Sequence, residues 1–339
     1  MLSQAGTDKQ LPFVSICTPT FNRRPFIPYM IKCFEKQDYP KERMEWLILD
    51  DGTDKIEDLV KHIPQVRYLA YERRMLLGEK RNILNAQTTG SIILYMDDDD
   101  YYPPQRVSHA VATLLANPKA MCAGSSTMYI YFKSLEKIYQ FGPYGPRHAT
   151  AATFAFRRVL LKTQSYDNNV AVSEEQDFLS NYNIPFVQLD PFKTILVFAH
   201  DHNSVNKEML LENGHPDYIK PTDLLVSYFI NDEEMQDFYT NRLSECLKNY
   251  APGKPESKPE VLKQIEDLKS TRAALLREKM EKMEKGITIK IGEEPARTLS
   301  KEEIVKILQQ QHEYINQLKE LLKGKDMEIE LLTQACNKS

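Results

Sequence analysis

Short apolar runs punctuate the first half of the chain, and stretches of helical spacing separate them. Residues 13–17 form an apolar run that closes at Pro19. Residues 46–49 form a second, which ends in Asp50, Asp51 and Gly52. Residues 66–70 form a weaker third, and residues 91–96 a fourth that ends in Asp97, Asp98, Asp99 and Asp100. Helices are predicted from about Pro25, where proline suits a first turn, to Gln37, over residues 79–87, and over residues 104–116. Apolar strands joined through helices predict a mostly parallel α/β sheet covered on both faces. From residue 120 to 199 the pattern is irregular and β-rich. Added antiparallel strands are predicted there, with a helix near residues 174–181.

The second half has a different texture. Residues 221–248 have helical character, and residues 251–259 are polar and proline-rich, as in a linker. Two charged helical segments are predicted over about 260–285 and 299–335, broken by residues 286–295. The last carries heptads: Leu308, Ile315, Leu322 and Ile329 in one position, and Ile304, Gln311, Leu318, Lys325 and Leu332 in the other. Such spacing predicts a coiled coil and a homo-oligomer through 299–335, with Gln311 and Lys325 as polar register-setting positions; one amphipathic helix packing on its own domain is the competing reading. The expected organisation is an α/β domain over 1–215, a helical extension over 216–250, a linker over 251–259 and a helical, coiled-coil region over 260–339. A chain of 339 residues has room for that, at about 100–200 residues per domain.

Composition narrows the function classes. The net charge is −4, with both signs abundant, so no nucleic-acid partner is expected. No stretch approaches the roughly 20 apolar residues of a membrane span. The first residues lack the charged start and apolar core of a signal peptide. Five cysteines, odd in number and without CxxC pairing, read as reduced thiols in a cytoplasmic protein.

Acidic clusters follow two of the strands. In open α/β sheets ligands sit beyond the carboxyl ends of the strands. Clustered carboxylates repel one another, which favours a hard cation such as Mg²⁺ or Mn²⁺ or protonation of some members. A solvated acidic turn is the competing reading of the run 97–100. Asp51 follows the second strand, where a carboxylate can accept hydrogen bonds from a base or ribose. Pro19, Phe21, Arg23 and Arg24 close the first strand, with an aromatic that could stack and arginines that could meet phosphates. Gly78, Lys80 and Arg81 open a helix. Glu174, Glu175 and Asp177 are acids at a helix start, where one could serve as a general base. His200 follows an apolar strand, and a neutral imidazole there is either a Mn²⁺ ligand or structural.

Taken in order, these segments resemble glycosyltransferase family 2, enzymes of the GT-A fold. The resemblance rests on Pro19 to Arg23, Leu49 to Thr53, Lys80 to Asn82, Gly90 to Asp100, Glu174 to Phe178, and His200 with Asn203 and Ser204. It covers about residues 12–206 and not the helical end. It implies a metal-dependent, inverting transfer from a nucleotide-diphosphate sugar, with UDP as the nucleotide, to a hydroxyl on a glycan or other acceptor. By position it implies that Phe21 stacks on the base, Asp51 binds it, and Arg81 lies near the nucleotide. Asp97 and Asp98 would contact ribose or metal, Asp99 would ligate Mn²⁺ or Mg²⁺, and His200 would complete the metal site. Glu175 stands where the family usually has an aspartate base, so Asp177 is its rival. The acceptor pocket is expected within residues 120–170, including residues 139–148. A nucleotidyltransferase and a catalytically silent nucleotide-sugar-binding protein assembled by its coiled coil are the alternatives.

Overall fold

The computed structural model describes residues 11–284, 287–289 and 297–336. The chain alternates strand and helix as its pattern predicts: β1 (Val14–Thr20), α1 (Ile27–Glu35), β2 (Met44–Asp50), α2 (Glu57–Val60), β3 (Val66–Ala70), α3 (Leu77–Gln87), β4 (Ile92–Tyr95) and α4 (Arg106–Ala116). Further strands are β5 (Cys122–Gly124), β6 (Met128–Phe132), β7 (Lys137–Phe141), β8 (Ala155–Arg157), β9 (Phe186–Gln188), β10 (Leu196–Ala199) and β11 (Ile219–Pro221). The main sheet has the order β3-β2-β1-β4-β8-β5-β9. Its first four strands are parallel, and β8 runs antiparallel to both β4 and β5. This is the mostly parallel α/β sheet that the sequence pattern predicts. A second sheet, β10-β6-β7-β11, holds the irregular middle of the chain.

The sheet's interior explains the apolar runs. Every residue of β2 and β4 is buried, because helices cover both faces. Helix α1 lays Ile27, Tyr29, Met30, Cys33 and Phe34 into the core, and Phe34 stacks on Trp46 at 4.6 Å. The Trp46 indole N–H is satisfied by the Thr18 hydroxyl at 2.9 Å, which removes the cost of burying it. The edge strand β3 is only half-buried, which accounts for its weaker signal.

The register shapes a crevice. β1 pairs with β4 only from Val14 to Cys17, whereas its pairing with β2 continues to Thr20 opposite Asp50. Beyond Cys17 the two central strands part. Pro19, which has no N–H to donate, falls where β1 has already lost its β4 neighbour. The apolar run therefore does not close at Pro19; the strand carries it.

Three expectations change. The helix expected near 174–181 is only Glu175–Phe178, and Ser180, Asn181 and Tyr182 all have positive φ (48°, 53° and 62°), a backbone that cannot continue a right-handed helix. The helical character expected over 221–248 begins in earnest at Glu233, because Pro221 ends β11. The stretch 251–259 is docked, not a free linker. Asn22 Nδ2 donates to Pro252 O (3.0 Å), Arg23 Nη1 to Gly253 O (3.1 Å) and Arg74 to Ser257 O. Proline-rich composition marks a chain that makes no ladder; it does not mark one that makes no contacts.

Compactness divides the chain after Glu266, not at residue 215 or 250. The helix Pro259–Glu284 crosses that boundary. The later unit also holds an antiparallel pair, Ile287–Ile289 with Arg297–Leu299, and one helix, Lys301–Cys336. Most of the expected break at 286–295 lies outside the described residues. Ser300 and Glu303 start the last helix reciprocally: Glu303 N donates to Ser300 Oγ (3.2 Å) and Ser300 N to Glu303 Oε2 (2.8 Å). Leu308, Ile315 and Leu322 of the heptad are exposed along it. No helix among the described residues is long and apolar enough to cross a membrane.

Candidate functional site

The carboxyl ends of β1, β2 and β4 meet at the crevice, where the chain's connections leave β1 in opposite directions. A cavity of about 170 Å³ lies there. Pro19, Phe21, Arg23, Arg81, Asp97, Asp98 and Asp99 line it, together with Arg74, Lys80, Ser204 and Lys258. Asp51 sits behind Lys80, His200 behind Asp99, and Glu175 and Asp177 stand off the lining.

The two aspartates after β2 divide their work. Adjacent strand residues face opposite ways. Asp50 closes its own turn, accepting from Gly52 N (2.8 Å), Ile56 N (3.1 Å) and the Tyr68 hydroxyl (2.6 Å). Asp51 accepts from Met75 N (2.7 Å) and pairs with Lys80, whose ammonium also reaches Thr20 O at 3.4 Å. Burial lowers the Lys80 pKa and Asp51 opposes that shift. Phe21 is nearly buried, with Arg74 at 5.3 Å, Lys80 at 5.5 Å and Lys258 at 5.6 Å from its ring centroid. An aromatic face ringed by cations is the electrostatic partner they favour.

Arg81 ties the third cluster. It is 2% exposed, lies 4.3 Å over the Tyr95 ring, and bonds Glu174 at 3.0 Å with Asp97 at 3.7 Å. Burial works against its charge, but Glu174 and Asp97 more than compensate and raise its pKa. Asp97 Oδ1 is buried without a hydrogen-bond partner, and burial pushes that carboxyl upward. Asp98 is pushed up to about 7, by burial and by neighbouring Asp99, against the pull of Arg23 at 3.5 Å. Burial also opposes Asp99's charge, but the His200 contact and Arg23 hold Asp99 well below the usual carboxylate range. Asp100 is structural: its carboxylate accepts from Phe198 N (3.1 Å) and its carbonyl from the Tyr239 hydroxyl (3.2 Å).

The His200 imidazole packs on Phe26 (4.9 Å), and Nε2 faces Asp99 Oδ2 at 3.3 Å and Asn203 Nδ2 at 2.9 Å. Burial lowers its pKa to about 4, so near pH 7 the ring is neutral; Nδ1 accepts from His202 N (3.2 Å), which puts the hydrogen on Nε2, and ligation through Nε2 requires the other tautomer. Among the described residues no three His, Cys, Asp or Glu side chains converge as a ready cation cage. The chemistry still suits a hard cation that takes part of its shell from substrate. Two ligands each about 2.1 Å from such an ion lie about 3 Å apart at a right angle, close to the Asp99–His200 separation. Such ions are typically held by one or two carboxylates plus phosphate oxygens.

Glu174 and Glu175 stand on opposite sides of a decision. Glu174 is buried and taken by Arg81; Glu175 is half-buried, and burial together with the Glu174 charge raises its carboxyl from 4.5 to about 7. Asp177 is exposed. Beside Glu175 lies an aromatic group: His148 stacks on Tyr182 (4.9 Å) and meets Tyr144 (5.0 Å), which meets Tyr218 (5.2 Å). Sequence reasoning misses Lys80 and Glu174 as the partners of Asp51 and Arg81. Their signal was adjacency to residues already singled out. It misses Lys258 entirely, and no periodicity or spacing marks that lysine.

The arrangement is a doubly wound α/β fold with acidic and basic groups at its switch point. Residues 15–165 match the sequence profile described as Glycosyl transferase family 2. Relatives include the poly(ribitol-phosphate) beta-N-acetylglucosaminyltransferase TarS of Staphylococcus aureus, 28% identical over 29% of this chain and 18% of the relative. The glycosyltransferase AglE of Haloferax volcanii is 30% identical over 31% of this chain and 36% of that protein. In each case the match spans well under half of the relative's own length. Among solved structures, the mannosyltransferase PcManGT of Pyrobaculum calidifontis is similar at 15% identity and a TM-score of 0.47, over 81% of both chains.

Proposed function

We propose that the chain transfers a sugar from a nucleotide-diphosphate donor, in the first place a UDP-sugar, to an acceptor hydroxyl with inversion at the anomeric carbon. The observation that carries this reading is the convergence on one crevice of two ion-paired sets, Asp51 with Lys80 and Arg81 with Glu174 and Asp97, and of the Asp99 carboxylate with the neutral His200 imidazole. In this reading Phe21 and Asp51 hold the base, Asp97 and Asp98 the ribose, and Arg23 and Arg81 keep the acidic run in place. Asp99 and His200 would hold Mn²⁺ or Mg²⁺, which when bound neutralises charge growing on the departing diphosphate.

Glu175 receives the acceptor's proton. The acceptor oxygen forms its bond to the anomeric carbon as the bond from that carbon to the diphosphate oxygen breaks, through an oxocarbenium-like state. A carboxyl near 7 suits the task, since a general base works best with its pKa near the working pH. Asp177, exposed and farther along the short helix, is the weaker choice. The aromatic group of Tyr144, His148, Tyr182 and Tyr218 offers the apolar faces on which an acceptor sugar can lie. TarS is named for a β-linkage, the outcome of inversion at an α-linked donor. A cytoplasmic location belongs to the same reading, supported by free buried thiols at Cys17, Cys33 and Cys122.

The test is a panel of nucleotide sugars incubated with the full chain and Mn²⁺, read for the nucleotide released and for product configuration by proton NMR. A nucleoside diphosphate and a β product are expected. Pyrophosphate release would point to nucleotidyl transfer instead, and retained configuration would remove Glu175 from its role.

A further inference from the structure

The stretch after the α/β domain is built into the crevice as a strap. Its hold begins at Pro252 and Gly253, fixed by Asn22 and Arg23, and resumes at Ser257 and Glu260, both bonded to Arg74. It ends at Gln264, which accepts from Ala171 N (2.9 Å) and donates to Asn169 O (2.6 Å). The packing is close: a Cβ on Gly253 would lie 2.6 Å from Asn22 O and 2.7 Å from His202 Nδ1. Lys258 falls between these anchors and lines the cavity.

We propose that Lys258 is a phosphate-binding residue of the donor site, supplied by the strap to the diphosphate of the nucleotide sugar. The inference rests on the donor-site reading above. The buried cations of the crevice are committed to carboxylates: Lys80 to Asp51, Arg81 to Glu174, and Arg23 lies 3.5 Å from Asp98 and from Asp99. Lys258 bonds a neutral hydroxyl, Ser204 Oγ at 3.0 Å, and forms no carboxylate ion pair among the described residues. A half-buried ammonium without a carboxylate partner lacks a counter-ion, and in the donor-site reading a phosphate oxygen supplies one.

The same detail separates a gripping roof from a blocking plug. A plug that stood in for the substrate's cation would set its ammonium on the acidic run 97–100. The strap instead leaves Lys258 on Ser204, beside Phe21.

The experiment is calorimetric titration of UDP, GDP, UMP and GMP, each with Mn²⁺, into the full chain and into Lys258→Ala, Lys258→Met and Lys258→Arg. The proposal expects one diphosphate to bind the wild type, and to bind the alanine and methionine variants about ten- to a hundredfold more weakly, as for loss of a charged hydrogen bond. The matching monophosphate should change little, and arginine should recover most of the loss. Lys258→Met keeps the stem, so agreement between it and Lys258→Ala excludes a packing defect. Unchanged diphosphate binding in both variants overturns the role of Lys258 and leaves the donor site standing. Tighter binding overturns it in favour of a plug. If no diphosphate binds the wild type, the donor-site reading itself falls, and this inference with it.

Discussion

Glu175 carries a testable sign. Burial and the Glu174 charge raise its carboxyl from 4.5 to about 7. As a base it must be ionised, so turnover should climb with pH to a plateau above about 7. Glu175→Gln should lower turnover about a hundredfold or more and flatten that limb. Linkage gives an independent readout. The folded state holds a proton on Glu175 between about pH 4.5 and 7 that the unfolded chain has released, so the residue's relative stability is lost as pH rises through about 7. Glu175→Gln should therefore stabilise the fold at pH 8 by on the order of 1–3 kcal/mol and by much less at pH 5, measured by chemical denaturation. Equal effects at both pH values would show that Glu175 is not raised. The sequence displays three acids here but not which one Arg81 takes, because that bond joins positions 93 residues apart. Asp50 and Asp51 are separated more legibly, since alternation on a strand must send them to different partners.

At the scale of elements, helix α3 brings Lys80 and Arg81 to the crevice only because its first turn lies against the loop at 167–170. Gly78 N donates to Val170 O at 2.9 Å, and a Cβ on Gly78 would meet Asp167 O at 2.0 Å. Gly78→Ala must push α3 or that loop aside. A loss of about 1–3 kcal/mol is expected by urea denaturation, with weaker nucleotide binding as the two cations move. Wild-type stability in that variant would mean that the contact gives way freely. The parallel strands were legible because burial on both faces imposes apolar runs. The helix at Glu175 is shorter than its sequence pattern predicts, because the residues that stop it, Ser180 to Tyr182, do so by positive φ, which their side chains do not announce. The strap was read as a linker because prolines remove ladder donors whether or not the chain is docked. Its anchors are carbonyls and the side chains of Glu260 and Gln264, which have no periodic signature.

At the scale of the molecule, the helix Lys301–Cys336 exposes Leu308, Ile315 and Leu322 at heptad spacing. A second copy of the same helix is the partner that this pattern suits, as the heptad rule expects. The double variant Leu308→Glu with Leu322→Glu should shift the chain to monomer by light scattering coupled to size exclusion, with nucleotide binding unchanged. A wild type that is already monomeric at micromolar concentration would contradict the self-association reading.

The donor site is the centre of the account, and ligand-induced stabilisation measures it directly, since a ligand bound only by the folded state raises the unfolding temperature by mass action. The measurement is thermal unfolding with a panel of nucleotide sugars, with and without Mn²⁺, on the wild type, Asp51→Ala and Asp99→Ala. One nucleotide sugar should stabilise the wild type more with Mn²⁺ than without. Asp51→Ala should weaken that response, and Asp99→Ala should remove its metal-dependent part. No stabilisation by any nucleotide sugar, or the same metal-dependent shift in Asp99→Ala as in the wild type, would contradict it.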